Sequence, residues 1–354
     1  MAHPIRLAFV GVDHPHGAHW RQLLTNLAGQ IEIVALVPGL QGATASLEER
    51  FAQLPRFENV EGLLAGAKFD AALVCLDNRT SPPAVEKLAR AGKHVLAEKP
   101  VAASAADARG MAAAIEASGI AFQTGYMWRY DEGAERVRTM VELGQFGKLI
   151  SIEMSFVTSD VQHRGPEHYL FDPQASGGGF FSWLACHQLD LLQYIVPQAV
   201  VGVTARTGVF GATSTAVEDG GVAILDLADG SLATFLGGYW LPRWAGESRW
   251  CIRGSERWVH WDMARKGTGG VLEIHGPQPQ WHAMEDTFTI AQDTTPGYGG
   301  SSGLALVSDW LECIRSGRRT FRNSARSMLT VLELIDTIYQ SSREERRIAC
   351  QPSS

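Results

Sequence analysis

Short apolar runs recur along the first third of the chain, at residues 5–10, 31–37, 71–76, 93–97 and 120–124. Each run is short and rich in aliphatic residues, and none alternates strictly between apolar and polar positions. Continuous apolar strands of this kind are typical of a parallel sheet that is covered on both faces. The pattern therefore predicts five strands that are buried inside a domain.

The segments between these runs have helical spacing. They are residues 20–27, 43–53, 83–91 and 105–118, with a short strand and turn at 60–64 that leads into a further helix. Pro83 suits the first turn of its helix, and Gly92 and Gly119 suit C-terminal caps. Strands alternating with helices, joined by right-handed crossovers, predict a doubly wound parallel sheet of the Rossmann type.

After Gly125 the runs become longer and alternate between apolar and polar positions. The predicted strands are residues 149–156, 200–210, 221–227, 231–236 and 249–258, with helices at 135–143, 180–194, 304–316 and 324–341. Asp229-Gly230 between two such runs indicates a hairpin. The sequence thus predicts an α/β chain with two domains. Residues 1–124 form a Rossmann domain, and residues 125–354 form an α+β domain with a large, mostly antiparallel sheet.

Composition narrows the classes of function. The 354 residues carry a net charge of −7 and are 45% hydrophobic, which is typical of a globular protein and disfavours nucleic-acid or anionic-membrane binding. No apolar run approaches the ~20 residues of a membrane helix, and the N-terminus lacks a signal-peptide pattern. Five scattered cysteines without a CxxC pair disfavour disulfides and structural zinc. We therefore expect a cytoplasmic protein without a metal site.

A nucleotide-binding loop is expected after the first strand, where the chain reads Gly11-Val12-Asp13-His14-Pro15-His16-Gly17. The turn at Gly11 points a helix N-terminus at an anion, although the GxGxxG fingerprint is incomplete. Asp13 takes the second glycine position and would repel pyrophosphate unless it is turned away. Pro38 stands where an acid usually binds the ribose, so NAD and NADP are not distinguished. A metal site at His14, His16 and His19 is disfavoured, because no further ligands accompany them.

Five motifs in the expected order resemble the glucose–fructose oxidoreductase and inositol dehydrogenase (Gfo/Idh/MocA) family, from residue 5 to about residue 342. They are Asn78 after the third strand, the strand end Glu98-Lys99-Pro100, residues 125–130, residues 144–150, and Gly177-Gly178-Gly179 followed by His187 and Asp190. The resemblance implies a Rossmann domain, a second domain whose open sheet forms a homodimer or homotetramer, and NAD or NADP as cofactor. The cofactor-binding residues implied are Gly11, Asp13, His14, His16, Asn78, Glu98, Lys99 and Pro100.

The resemblance implies oxidation or reduction of a secondary hydroxyl or carbonyl of a sugar, cyclitol or related polyol. Lys99 is then the candidate general acid or base, with His187 as its partner. Pro100 fixes the turn that aims Lys99, and a peptide bond before proline can be cis or trans. Without the resemblance, Lys99 reads as a surface lysine at a strand end and His187 as a core histidine. The substrate-binding candidates are Arg129, Arg164, Trp183 and Asp190.

Trp183 departs from the family pattern, which has an aspartate four residues before the histidine. Trp183, His187 and Asp190 have i, i+4, i+7 spacing, which predicts that they share one helix face. Trp183 then offers an apolar wall instead of a carboxylate. Together with the incomplete glycine loop and Pro38, this departure leaves an alternative open, in which the protein is a cofactor- or ligand-binding sensor without redox turnover.

Overall fold

The computed structural model describes residues 3–40, 51–165, 168–211, 215–276, 284–318 and 321–350. The chain divides into two compact units. The first contains Met1–Tyr130 and Thr294–Leu329, and the second contains Asp131–Asp293 and Thr330–Ser354. The predicted boundary near residue 124 assigns everything after it to the second domain, whereas the structure groups 294–329 with the first unit. Most of the predicted helix at 43–53 lies outside the described residues.

A parallel sheet of five strands forms the centre of the first unit, and this confirms the predicted fold class. The strands are β1 (Ile5–Val10), β2 (Ile31–Val37), β3 (Ala71–Val74), β4 (His94–Ala97) and β5 (Phe122–Thr124), in the order β2-β1-β3-β4-β5. All four pairings are parallel. The chain moves from β1 to β2 on one side and to β3 on the other, which opens a crevice at the carboxyl ends of β1 and β3.

Within the described residues, four helices connect these strands: α1 (Gly17–Thr25), α2 (Val60–Gly66), α3 (Ser81–Arg90) and α4 (Ala105–Ser118). Gly119 ends α4 in the left-handed conformation, with φ +61°, as predicted. The short strand predicted at 60–64 is wrong. The Asn59 side chain accepts the N–H of Gly62 and caps a helix that begins at once at Val60, since this capping favours the helix over the extended chain.

The second unit is built on a nine-stranded sheet in the order β13-β12-β11-β10-β6-β9-β8-β7-β14. The strands are β6 (Leu149–Ser159), β7 (Val200–Gly208), β8 (Gly220–Leu227), β9 (Leu232–Leu241), β10 (Gly246–Gly254), β11 (Trp258–Asp262), β12 (Gly270–His275), β13 (Met284–Ile290) and β14 (Ile348–Ala349). Only the β6–β9 pair among them is parallel, so the sheet is mostly antiparallel as predicted.

Two details of this sheet differ from the prediction. The strand predicted at 249–258 is two strands, β10 and β11, because the N–H of Gly254 donates to the Arg257 carbonyl and closes a turn between them. Strands β12 and β13 were not predicted. The hairpin at Asp229-Gly230 is confirmed, since it joins β8 to β9 and the N–H of Leu227 donates to the Ser231 carbonyl.

The remaining helices are α5 (Glu132–Glu142), α6 (Val161–Arg164), α7 (Pro173–Ser176), α8 (Cys186–Ile195), α9 (Gly300–Ser316) and α10 (Ala325–Glu344), with 3₁₀ turns at Met127–Tyr130 and Tyr169–Phe171. In the described parts of the chain, no helix is long and apolar enough to span a membrane.

The segment that returns to the first unit completes that unit's core. Trp310 on α9 is fully buried, and its indole N–H donates to the carbonyl of Ala121, 3.1 Å away, at the start of β5. The buried face of α9 joins the same apolar cluster as Leu7 and Phe9 of β1 and Trp20 of α1. Trp310 and Ala121 are 189 residues apart in the chain, so the local sequence pattern does not reveal that α9 covers this sheet.

Candidate active site

The loop between β1 and α1 has the backbone of a phosphate-binding turn despite its incomplete fingerprint. Gly11 has φ +76°, and a Cβ there would lie 1.9 Å from the Cys75 carbonyl oxygen. A Cβ on Gly17 would lie 2.4 Å from the Val12 carbonyl oxygen. Both positions therefore require glycine, and Gly17 provides the close approach at the helix start that the usual third glycine provides.

The Asp13 carboxylate is turned away from the start of α1 and caps the end of β2. Its Oδ1 accepts the N–H of Gly39 at 2.7 Å, and its Oδ2 accepts the N–H of Leu40 at 2.8 Å. The side chain is buried. Two backbone donors thus stabilise the carboxylate at the end of β2, which reduces its repulsion of an anion at the start of α1.

Glu98, at the end of β4, is a buried carboxylate that accepts three hydrogen bonds. Tyr298 donates its hydroxyl to Oε1 at 2.7 Å, Trp20 donates its indole N–H to Oε2 at 2.7 Å, and His16 Nδ1 lies 3.0 Å from Oε1. Burial alone would raise the pKa of Glu98. The hydrogen bond from His16 and the charges of His16, Lys99 and His14 outweigh it and lower the pKa to about 2.

The other predicted residues of the first unit follow the carboxyl ends of the same parallel strands. Lys99 is 1% exposed and Asn78 is 1% exposed, so the interpretation of Lys99 as a surface lysine is wrong. The Lys99–Pro100 peptide bond is cis. His14 is buried, and its Nδ1 accepts the N–H of His16 at 3.0 Å.

Arg129, a predicted substrate-binding residue, lies in the 3₁₀ turn at the end of the first unit's main segment. Its guanidinium donates to the carbonyl of Arg322, and the guanidinium of Arg322 donates back to the carbonyl of Arg129 at 2.9 Å. Arg129 is buried. These contacts give it a role in joining the returning segment to the unit, and its substrate role stays a prediction.

Trp183, His187 and Asp190 in the second unit are buried, with 4%, 3% and 1% exposure. The helix that carries them is not α-helical throughout, so the regular spacing behind the predicted i, i+4, i+7 face does not hold from Trp183 to His187. Residues Phe181–Ala185 form a π-helical turn, in which the N–H of Cys186 donates to the carbonyl of Phe181, and regular α8 begins only at Cys186. His187 and Asp190 both belong to α8, while Trp183 precedes it on a wider turn.

Glu218, which sequence reasoning missed, holds the start of this π turn. Its carboxylate accepts the N–H groups of Gly179 at 2.7 Å and Phe181 at 2.9 Å, and the hydroxyl of Tyr339 at 2.8 Å. Removal from water raises the pKa of Glu218, although all three hydrogen bonds favour the charged form. The Glu218 carboxylate takes the place of helical carbonyl acceptors for the first amides of the turn. Glu218 lies 39 residues from Gly179, so no local sequence signal reveals this contact.

Arg164 and a set of aromatic rings form a second cluster in this unit. The Arg164 guanidinium lies 4.8 Å above the Tyr239 ring and donates to Thr158 Oγ1 at 3.0 Å. Burial lowers the pKa of Arg164 and raises that of Tyr239, whose hydroxyl has no hydrogen-bond partner among the described residues. Trp183 packs edge-on against Tyr169, at 5.8 Å between centroids. The second unit thus combines a cation and polar hydroxyl with apolar ring faces.

The residues of the first unit fit a dinucleotide. The crevice between β1 and β3 is lined by glycines that tolerate no side chain, α1 begins at its edge, and the Asp13 carboxylate is stabilised at the end of β2. These features define the unit as a Rossmann-type nucleotide-binding domain joined to a sheet-bearing second unit.

The comparisons with known proteins identify the family. Residues 5–126 match the model for the oxidoreductase family with an NAD-binding Rossmann fold, and residues 134–260 match the model for the GFO/IDH/MocA C-terminal domain. The chain therefore belongs to the GFO/IDH/MocA family of oxidoreductases, and its first unit is an NAD-binding Rossmann domain.

Individual relatives are distant. The inositol 2-dehydrogenase of Rhizobium meliloti (strain 1021) is 27% identical over 150 residues, which cover 42% of this chain and 43% of that protein. The dTDP-3,4-didehydro-2,6-dideoxy-alpha-D-glucose 3-reductase of Streptomyces violaceoruber is 27% identical over 301 residues, or 80% of each chain. Matches to the curated relatives thus range from about half of their length to four fifths.

Solved structures share the fold at low sequence identity. Levoglucosan dehydrogenase in complex with NADH and levoglucosan has a TM-score of 0.86 at 16% identity, over 99% of this chain and 100% of that one.

Proposed function

We propose that this protein is an NAD(P)-dependent dehydrogenase or reductase that acts on a secondary hydroxyl or carbonyl of a sugar, cyclitol or related polyol. The observation that carries the proposal is the buried strand end Glu98-Lys99-Pro100 in an NAD-binding Rossmann domain. Relatives named for inositol and for a deoxysugar support the substrate class.

Lys99 is the proposed proton carrier. Bound NAD(P) supplies the hydride acceptor or donor of the reaction, so the protein has to move only the hydroxyl proton. The Lys99 Nζ removes that proton during oxidation and returns it during reduction. Glu98 remains ionised through its three donors, and its fixed charge holds the strand end that presents the lysine.

His187 is the proposed second group for proton transfer, and its burial on α8 suits a restrained imidazole. Trp183 offers an apolar wall in place of the family aspartate. Arg164, Asp190 and Arg129 are proposed to bind polar groups of the substrate. Arg164 carries a partly desolvated charge above an aromatic ring, which favours a hydroxyl-rich ligand with apolar C–H faces.

We also propose that the protein is a cytoplasmic homo-oligomer. All five cysteines are free, which suits a reducing compartment. The outer face of the second sheet exposes Val222, Ile224, Leu232 and Leu236 by 40–48%. A second copy of the chain is the proposed partner for this apolar face.

Cofactor titration followed by a substrate screen tests the function. NAD(H) and NADP(H) are titrated by nicotinamide and tryptophan fluorescence, and inositols, anhydrosugars and aldoses are then screened for cofactor reduction or oxidation. Saturable binding and turnover of one polyol class would support the proposal. Binding with no turnover across the screen would favour the sensor alternative, and no saturable binding at millimolar cofactor would contradict both.

A further inference from the structure

A cluster of potential metal ligands lies on strands β11 and β12, and none of its members is among the residues assigned above. Within the described parts of the chain, His260, Glu273 and His275 have donor atoms that all lie within 4.8 Å of one another. His260 Nδ1 is 3.9 Å from Glu273 Oε2, and the rings of His260 and His275 are 5.2 Å apart.

The strand register explains why these three side chains converge. His260 on β11 is the direct cross-strand partner of Glu273 on β12, and His275 follows Glu273 by two residues. Cross-strand partners and residues two apart project from the same face of a sheet. A rigid antiparallel pair thus presents the three groups together, so their proximity does not depend on a loop.

His275 is held in place and has an unsatisfied nitrogen. Its ring stacks on Trp258 at 4.8 Å with an interplanar angle of 4°, which fixes the imidazole plane. Its Nε2 is buried and has no hydrogen-bond partner among the described residues. A buried nitrogen without a partner is costly, and a ligand that accepts its lone pair would remove the cost.

Few groups compete for the Glu273 carboxylate. Among the described residues, the Arg265 guanidinium approaches it only to 3.9 Å and is itself half-exposed. His260 is exposed and free to adjust its rotamer. Ligand distances of about 2.0–2.2 Å around one ion require the donor atoms to approach one another by about 1 Å, a shift that exposed side chains can make.

We propose that His260, Glu273 and His275 form a binding site for a divalent transition-metal ion, with Zn²⁺ as the probe of choice. Two imidazoles and one carboxylate are a ligand set that Zn²⁺ accepts readily, and three protein ligands leave a position for water. The site lies on the outer face of the second sheet and takes no part in the proposed hydride chemistry.

The test uses the full-length protein without a histidine tag, stripped with a chelator and titrated with Zn²⁺ by calorimetry. We expect one equivalent per chain and a rise in Tm on addition of the ion. His260→Ala and Glu273→Gln should each weaken binding more than about tenfold, since each removes one of three ligands. Neither variant alters the core, because His260 is exposed and Glu273 is partly exposed.

His163→Ala is the matched control. His163 Nδ1 also lies close to a carboxylate, 2.7 Å from Asp160, but no second histidine completes a cluster there among the described residues. The His163→Ala variant should bind Zn²⁺ with the affinity of the wild type. The proposal is overturned if the wild type shows no saturable binding at micromolar Zn²⁺, or if the double variant His260→Ala/His275→Ala binds with unchanged affinity. If His275→Ala fails to fold, His260→Ala alone decides.

Discussion

At the scale of single residues, the end of β4 places two buried charges next to each other in sequence. Glu98 is fixed by donors from Trp20, His16 and Tyr298, and the last of these lies 200 residues away. Lys99 is equally buried. A carboxylate held in this way is a structural support, and the adjacent lysine is the proposed proton carrier.

Replacing Lys99 with methionine, which has a similar length and no charge, removes the proposed proton carrier. We expect Lys99→Met to lower kcat by about 10²–10⁴, the usual contribution of acid–base catalysis. The affinity for reduced cofactor should fall far less than kcat, because the β1–α1 loop is untouched. Steady-state kinetics on the screened substrate and fluorescence titration measure both. Lys87→Met, an exposed lysine on α3, is the control. Full activity in Lys99→Met would refute the mechanism even if the family is right.

His187 and Trp183 test the other half of the proposed chemistry. His187→Asn should lower kcat while it retains a polar contact with the substrate. Trp183→Asp introduces the carboxylate that the family resemblance implies before the histidine, yet we expect no gain in activity. Trp183 is 4% exposed, so the change creates a cavity and a buried charge. Steady-state kinetics measure the change in kcat, and a thermal melt measures the loss of stability that the cavity and the buried charge cause. A Trp183→Asp enzyme with raised kcat would show that the indole is not part of the site.

Glu98→Gln should destabilise the protein in a manner that depends on pH. The folded pKa of about 2 lies below the ordinary value of 4.5, so the ionised acid stabilises the fold fully above pH 4.5 and loses this effect as pH falls toward 2. The shift corresponds to about 3 kcal/mol. In addition, the glutamine amide has only one acceptor oxygen, whereas Trp20, His16 and Tyr298 all donate to the carboxylate of Glu98. Urea unfolding should show a constant deficit from pH 7 to 5 that narrows below pH 4.5. Glu58→Gln, an exposed acid, serves as control, and a deficit independent of pH would count against this assignment.

At the scale of elements, the sequence pattern predicts correctly those strands and helices that local interactions determine. The strands of the first sheet were predicted to within two residues at either end, because buried parallel strands are continuous apolar runs. The strand predicted at 60–64 is wrong because the prediction does not include the N-cap at Asn59, which starts a helix there. The π turn at Phe181–Ala185 could not be predicted from the local sequence, because it depends on Glu218 and Tyr339, which are distant in sequence.

Two glycine substitutions in helices should have opposite effects. Gly17→Ala brings a Cβ to 2.4 Å from a backbone oxygen at the start of α1, and backbone cannot easily yield. We expect lower stability and weaker cofactor binding. Gly110→Ala, inside α4, meets only the mobile end of Glu86 at 3.1 Å and should stabilise by about 0.5–1 kcal/mol. Chemical denaturation and cofactor titration of both variants provide the comparison. Equal effects would show that the loop does not need its glycine.

At the scale of the whole molecule, the two-domain outline and the chemistry-bearing motifs were visible in the sequence, but the layer that completes the first unit was not. α9 and Tyr298 are near the end of the chain and were expected in the second domain. They pack on β1, α1 and β4 of the first unit. An amphipathic helix reveals its apolar face and not the partner that covers it.

The outer face of the second sheet is the surface through which we expect the chain to self-associate. Val222 and Leu236 are cross-strand partners on its outer face, and Ile224 lies two residues from Val222 on the same side. Exposed by 40–48%, these side chains form an apolar patch that a second copy would remove from water. The wild type should sediment as a dimer or larger at micromolar concentration, and Ile224→Asp/Leu236→Asp should sediment as a folded monomer, because two charges in the patch repel the partner. Leu143→Asp changes an apolar residue off the sheet that is more exposed, at 68%, and should leave assembly intact. A wild-type monomer under these conditions would rule out this face as a stable interface.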